Sequence, residues 1–238
     1  RMSELVQQPF GEDDDNLLIA TPNEPHMACV LLVDTSYSMA GEAINSLNDS
    51  INAFKEQTMM DDLARNRVDV AIIEFNSAVQ LVQDFTPVGA MGTVRLQAHG
   101  MTAMGQGIEY AIEKVKERCR LYNALGTPCF KPWIFMITDG CPDETEDMYS
   151  AMMKIAAEEE RNKLKFFALG VKGYNKEVLF SLTQRVIELK DVNFSSIFNW
   201  LSESMVTISV SRVGENVILE NLPQDARKAD KDRDINDW

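Results

Sequence analysis

The sequence predicts an α/β fold: a doubly wound, mostly parallel central sheet with one antiparallel edge hairpin and helices on both faces. Ala28–Val33 is an unbroken apolar run, and Trp133–Thr138 is apolar up to its last residue. Such runs are typical of strands that are buried on both faces of a parallel sheet. Strand-like and helix-like segments alternate through most of the chain, which favours helices that cross over from one parallel strand to the next.

Each element follows from its own pattern. Apolar residues that recur at helical spacing predict helices, and short β-branched or aromatic runs predict strands. Only Asn76 and Ser77 separate the second and third strands. Two residues are too few for a parallel crossover, so this pair should form an antiparallel hairpin. Asn175 is positioned to cap a short helix. The predicted strands are Ala28–Val33, Val68–Phe75, Ala78–Val82, Trp133–Thr138, Leu164–Gly170 and Val186–Leu189. The predicted helices cover residues 42–57, 108–122, 148–160, 176–184 and 195–205.

We expect one large domain between two charged ends. The chain has 238 residues and 45% hydrophobic side chains, which is enough for a sizeable core. Residues 1–25 carry an acidic cluster and three prolines, and we interpret them as a flexible arm. Residues 26–210 should form the domain. Residues 211–238 are rich in charges of both signs, and we expect the part after Pro223 to be a poorly ordered tail.

Net charge limits the partners. The formal charge of −14 argues against nucleic acid and against anionic membrane surfaces, since both require a cationic face. No apolar run is long enough for a membrane span, and the N-terminal residues lack the pattern of a secretion signal. The four cysteines include no CxxC pair, which favours reduced thiols. We therefore expect a cytoplasmic protein.

Three polar stretches follow predicted strands or precede a predicted helix. They are Asp34–Ser38, Gly100–Thr102 and Thr138–Gly140. In an open α/β sheet, such stretches meet beyond the carboxyl ends of the strands. Alternate side chains of an extended loop point to one side, so the Asp and the two Ser of the first stretch can converge. Carboxylate and hydroxyl oxygens suit Mg²⁺, with Mn²⁺ or Ca²⁺ as alternatives.

Taken singly, each stretch also has an ordinary structural interpretation. Ser38 and Thr102 precede helices and are suited to capping them. Asp139 and Gly140 are a common turn pair. The occurrence of all three stretches, in this order and each at the end of an element, favours a metal site over three unrelated caps and turns.

The three stretches resemble the metal-ion-dependent adhesion site of von Willebrand factor A domains, whose pattern is DxSxS…T…D. The resemblance covers residues 26–206, and it is greatest to the bacterial tellurium-resistance-type members, through "GEAINSLN", "GMTAMGQGIEYA" and "FNWLSESM". Two departures are Met101, where the family often has Gly, and Ala40–Gly41, where integrin-type domains have acids. A second cation site and an extracellular adhesion role are therefore not implied. The resemblance implies these metal ligands, the two Asp often acting through water: Asp34, Ser36, Ser38, Thr102 and Asp139.

The resemblance implies a non-catalytic binding module. The bound cation would keep one coordination place open for an Asp or Glu carboxylate of a partner protein. The operons of the tellurium-resistance-type members suggest kinase-like or phosphatase-like partners. The alternative is a metal-dependent phosphohydrolase that uses the same cluster. Against it, Ser36 stands where a second Asp would act as acid or base, and no Lys or Arg lies near the three stretches.

Two further side chains lie near the predicted site. His99 comes three residues before Thr102, so it either lines the mouth of the site or is an ordinary loop histidine, which we favour. Cys141 follows Gly140 and is either a reactive thiol or a packed one, and we favour the packed thiol.

Overall fold

A computed structural model describes residues 19–140, 142–143, 146–171 and 173–229. Seven strands form one sheet in the order β3-β2-β1-β4-β5-β6-β7. The strands are β1 Met27–Asp34, β2 Val68–Phe75, β3 Val79–Pro87, β4 Trp133–Thr138, β5 Lys165–Gly170, β6 Val186–Leu189 and β7 Ala226–Lys228. The α-helices are α1 Glu42–Met59, α2 Ala64–Arg67, α3 Met104–Leu125, α4 Tyr149–Glu160, α5 Lys176–Leu182 and α6 Ser195–Val210.

The predicted doubly wound sheet is confirmed. β2, β1, β4, β5 and β6 are parallel neighbours, and β3 pairs antiparallel with β2 as the predicted hairpin. From β1 the chain crosses to β2 on one side, whereas β4 lies on the other side. The strand order therefore reverses between β1 and β4, which is where ligands of such sheets bind.

The sheet separates two hydrophobic cores. Leu31 and Val33 of β1 face a core that includes Phe54 of α1 and Phe198 of α6. Val30 and Leu32 face the opposite core, which includes side chains of α3 and α4. Successive residues of one strand point to opposite faces, so an unbroken apolar run is needed where both faces are covered. This is why the central strands could be recognised in the sequence.

Several elements extend beyond their predicted ends. The helix predicted to end at residue 57 continues to Met59, and the one predicted to end at residue 205 continues to Val210. β3 runs to Pro87 rather than Val82, because an edge strand has less area to bury and tolerates polar residues. The predicted cap of α5 is confirmed, since the Asn175 side chain accepts a hydrogen bond from the Val178 amide.

The chain after Pro223 differs from expectation. We expected no regular structure there, but Ala226–Lys228 forms β7, which pairs antiparallel with β6. Ala226 is buried, and Arg227 donates a 2.7 Å hydrogen bond to Glu188 of β6. A three-residue edge strand held by backbone pairing needs no apolar period, so no pattern in the sequence predicts it. Residues 1–18, with the acidic cluster of the arm, lie outside the described residues.

The edge of the sheet opposite the carboxyl ends of the parallel strands contains a buried ionic cluster. Oδ2 of Asp69, near the start of β2, lies 3.0 Å from His26 Nδ1 and accepts hydrogen bonds from Arg118 (2.8 Å) and Tyr122 (2.6 Å). Burial alone would raise the pKa of Asp69, but His26 and Arg118 outweigh it and hold that pKa below its usual value. The cluster ties α3 to β1 and β2.

No helix among the described residues combines the length and the apolar character that a membrane crossing requires.

Candidate metal centre

The structure brings the predicted site residues to one edge of the sheet. Asp34 ends β1 and Asp139 directly follows β4, the neighbouring parallel strand. Ser36 and Ser38 lie in the connection from β1 to α1, and Thr102 lies two residues before α3. These residues therefore lie beyond the carboxyl ends of β1 and β4, between which the strand order reverses.

Hydrogen bonds link four of these residues into one chain. Asp34 Oδ1 accepts a 2.8 Å hydrogen bond from the Ser36 amide. The Ser36 and Ser38 hydroxyl oxygens are 3.0 Å apart, and the Ser38 hydroxyl donates to Asp139 Oδ1 at 2.8 Å. The hydrogen bonds therefore bring Asp139 next to Asp34 and the two serines, although it lies about a hundred residues later in the sequence.

Thr102 lies near this group, next to Gly140. A Cβ atom on Gly140 would lie 3.4 Å from Asp34 Oδ2 and 3.9 Å from Thr102 Cγ2. Thr102 is itself 8% exposed. Its loop is held by two neighbours, because the Met101 amide donates to the Ser77 hydroxyl (2.9 Å) and the Ala103 amide donates to the Asn76 carbonyl (2.7 Å). Asp34 and the methyl group of Thr102, the fifth predicted ligand, thus both lie next to Gly140.

Asp34 is a buried carboxylate with little compensation for its charge. Burial raises its pKa from the usual 3.8 to about 6, although hydrogen bonds from Ser36 and Thr138 oppose this rise. The Thr138 hydroxyl donates to Asp34 Oδ2 at 2.6 Å. The negative charge of Asp139 also raises the pKa of Asp34. A divalent cation would supply the positive charge that these two carboxylates lack, so the donor set fits a hard cation.

The capping alternatives do not hold. The residue that precedes α1 is Gly41, at φ 86°, and no side chain caps the helix there. α3 is preceded by Ala103, again without a side-chain cap. Ser38 and Thr102 therefore do not serve as helix caps.

Two acidic residues at this edge were missed by the sequence reasoning. Asp143 Oδ1 accepts a 3.0 Å hydrogen bond from the Thr102 amide, and Glu146 Oε1 accepts one of 3.1 Å from the Gln106 amide. Both come from the connection between β4 and α4, and they satisfy amides around the start of α3. The residues in each of these two contacts are about forty positions apart in the sequence, and no sequence pattern predicts such a contact. Cys141, in the same connection, lies outside the described residues.

The surroundings of the site are partly apolar. Tyr37 is 75% exposed and Met101 is 61% exposed. A 3.1 Å hydrogen bond from the Tyr37 amide to the Gly100 carbonyl holds their two loops together. His99 is exposed, and its Nδ1 lies 3.0 Å from the Gln97 carbonyl of its own loop, as in an ordinary loop histidine.

Across the described part of the chain, no group of three or more His, Cys, Asp or Glu residues is arranged to hold a metal ion. The site above is of another kind, because three of its five oxygen donors are hydroxyls. Only a pattern that counts Ser and Thr could have identified it.

Residues 29–199 match the family model of the von Willebrand factor type A domain. No curated protein is similar enough to match. Among solved structures, proximal thread matrix protein 1 from the mussel byssus is 15% identical, with a TM-score of 0.54, over 78% of this chain and 46% of that chain. The pilus adhesin SpaC from Lactobacillus rhamnosus GG is also 15% identical, with a TM-score of 0.60, over 78% and 30%. A von Willebrand factor type A protein from Catenulispora acidiphila is 15% identical, with a TM-score of 0.56, over 77% and 43%. The chain therefore spans less than half the length of these proteins, and at this identity the likeness shows the fold alone.

Proposed function

Because the chain belongs to the von Willebrand factor type A family, we propose that it is a divalent-cation-dependent protein-binding module. The proposed cation is Mg²⁺, and the proposed ligands are Asp34, Ser36, Ser38, Thr102 and Asp139. The observation that carries the proposal is the continuous chain of hydrogen bonds from Asp34 to Asp139 through two serines. It supports one compact group of hard oxygen donors at the switch point of the sheet.

The charge balance of the ligand set favours recognition of a carboxylate. When bound, the cation would supply a Lewis-acidic positive centre. Ser36, Ser38 and Thr102 are neutral donors, so they leave part of that charge uncompensated and available to an Asp or Glu of a partner protein. A strongly acidic chain could in this way bind an acidic group.

The chain's own residues would position that partner. Tyr37 and Met101 expose apolar surface beside the ligands. We expect an apolar residue next to the partner's carboxylate to pack against them, since exposed aromatic and Met side chains are enriched in binding surfaces. The hydrogen bond from the Tyr37 amide to the Gly100 carbonyl holds this surface in place relative to the serines.

The cellular setting rests on the resemblance to the tellurium-resistance-type members of the family. We place the protein in the cytoplasm of a bacterium, in a stress-response or tellurium-resistance system. Kinase-like or phosphatase-like products of the same operon are the proposed partners. The module itself is proposed not to be an enzyme.

Calorimetric titration of Mg²⁺ into the metal-free protein tests the proposal. We expect one site per chain, and we expect Asp34→Ala to abolish binding. Asp49→Ala is the matched control, because Asp49 is an exposed carboxylate on α1. Unchanged Mg²⁺ affinity in a folded Asp34→Ala variant would rule out the assigned ligands. A partner captured from the source cells, purified and tested again, should bind only without chelator.

A further inference from the structure

Thr102 differs from the other proposed ligands in how its position is set. Hydrogen bonds join the other four to one another, from Asp34 through the two serines to Asp139. Thr102 instead comes near the end of residues 91–103, a fully described connection that contains no helix or strand. A functional side chain must be held within about 0.5 Å of its productive place. The Thr102 hydroxyl therefore needs support from the residues around its loop.

Asp143 holds Thr102 by both of its backbone polar groups. The Thr102 amide donates a 3.0 Å hydrogen bond to Asp143 Oδ1, and the Asp143 amide donates one of 3.2 Å to the Thr102 carbonyl. The turn between β2 and β3 accepts the amides of the residues on either side of Thr102. Because both peptide groups of Thr102 are held, the direction of its Cα–Cβ bond, and so the place of its hydroxyl, is restricted.

The bond to the Asp143 side chain is not a helix cap. Ala103 is the residue that precedes α3, so the Thr102 amide lies outside the amides that the start of a helix leaves unpaired. Glu146 of the same connection does serve the helix, because it accepts the amide of Gln106 in the first turn at 3.1 Å. The two carboxylates therefore have separate roles, and that of Asp143 is directed at Thr102.

Asp143 also belongs to the connection that supplies another proposed ligand. Asp139 directly follows β4, and Asp143 comes four residues later in the connection to α4. The Asp143 carbonyl accepts a 2.8 Å hydrogen bond from the Glu146 amide, which holds the backbone of Asp143 in place. One connection thus contributes the second carboxylate of the ligand set and holds the residue that carries its third hydroxyl.

We propose that Asp143 is a positioning residue of the candidate metal centre, and that its two hydrogen bonds to Thr102 hold the Thr102 hydroxyl toward the bound cation. Thr102 is a metal ligand under the proposed function, on which this inference rests. Loss of an outer residue that orients a metal ligand weakens metal binding by about tenfold or more. The Thr102 amide requires an acceptor oxygen rather than a negative charge, so Asn at position 143 should serve nearly as well as Asp.

Calorimetric titration of Mg²⁺ into the metal-free full-length chain tests this role. Asp143→Ala removes the acceptor and should weaken Mg²⁺ binding about tenfold. Asp143→Asn keeps a side-chain carbonyl for the Thr102 amide and should stay within about threefold of the wild type. Asp147→Ala is the matched control, because Asp147 lies in the same connection, has the same side chain and accepts the Tyr149 amide at 2.9 Å. It should leave the Mg²⁺ affinity within about twofold.

A double-mutant cycle separates positioning of Thr102 from a general structural effect. In the Thr102→Ala background, Asp143→Ala should cause no further loss of Mg²⁺ affinity, because the hydroxyl that Asp143 orients is already absent. Circular dichroism verifies the fold of each variant, and Asp143→Leu, which has a similar size without an acceptor, replaces Asp143→Ala if the latter is unfolded.

The outcomes distinguish this role from the proposed function. Mg²⁺ binding that is lost in Asp34→Ala but unchanged in Asp143→Ala would overturn the role of Asp143 alone. Additive losses in the cycle, or equal losses in Asp143→Asn and Asp143→Ala, would do the same. Absence of Mg²⁺ binding to the wild type would overturn the proposed function and the role of Asp143 together.

Discussion

Replacing Asp34 by Asn should stabilise the metal-free protein at neutral pH while removing its response to Mg²⁺. The carboxylate is fully buried, and burial raises its pKa from 3.8 to about 6. A raised folded-state pKa means that the native state prefers the protonated form. The contribution of the protonated Asp34 carboxyl to the free energy of unfolding is therefore fully present below about pH 4. It is lost as the pH rises through about 6.

The rise in the pKa of Asp34 sets the size of the expected change in the free energy of unfolding. At about 1.4 kcal/mol for each pH unit, the change from 3.8 to about 6 corresponds to about 3 kcal/mol of unfolding free energy at pH 7.5. Asn is nearly isosteric, and its carbonyl oxygen can accept the Ser36 amide that now bonds Oδ1. Its amide can donate to Thr138, the residue that now donates to Oδ2. The variant should thus recover much of the 3 kcal/mol.

Urea unfolding at pH 4.5 and 7.5, in buffers freed of divalent cations, measures this effect. The difference between wild type and Asp34→Asn should be about 1 kcal/mol or less at pH 4.5 and should favour the variant by about 2–3 kcal/mol at pH 7.5. Added Mg²⁺ should stabilise the wild type and leave Asp34→Asn unchanged. Asp49→Asn controls for removal of an exposed carboxylate. A variant that is less stable than the wild type at pH 7.5, or that still gains stability from Mg²⁺, would refute the reasoning.

Three further predictions concern the rest of the chain. Asp69→Asn should lower the unfolding free energy by about 3 kcal/mol, because it leaves the buried Arg118 without its counter-charge, and urea denaturation would measure it. Since the folded-state pKa of Asp69 is below its usual value, its stabilising effect should be lost as the pH falls below about 4. A stability difference between wild type and Asp69→Asn that stays the same in acid as at neutral pH would contradict this. Thr102→Ala should weaken binding of an identified partner more than binding of Mg²⁺, as calorimetry with each ligand would detect, whereas equal losses would make Thr102 a metal ligand only. Truncation after residue 210 should lower the melting temperature because it removes β7, and an unchanged value would assign that segment no role in stability.

The candidate site was predictable because two patterns overlap there. The strands that end in Asp34 and Thr138 are buried on both faces, so their apolar runs are unbroken and their ends are sharp. The oxygen donors follow directly, and the fold then brings the carboxyl ends of adjacent parallel strands together.

Features that depend on distant contacts could not be predicted in this way. β7 is held by pairing with β6 and by the Arg227–Glu188 bond rather than by an apolar period. Asp143 is one of several acids after β4, and only the folded chain sets it against the Thr102 amide. Strand order likewise makes neighbours of Lys131, Lys165 and Arg185, which lie at the starts of β4, β5 and β6.

The most direct test of the central claim is a crystal structure of the protein soaked in Mn²⁺, which identifies the ion by its anomalous scattering. The account predicts one strong peak within about 2.5 Å of the Ser36 and Ser38 hydroxyl oxygens, with Asp34 and Asp139 bonded directly or through water. A fully occupied Mn²⁺ peak elsewhere on the chain, with Ser36 and Ser38 still hydrogen-bonded to each other and Ser38 to Asp139, would contradict it.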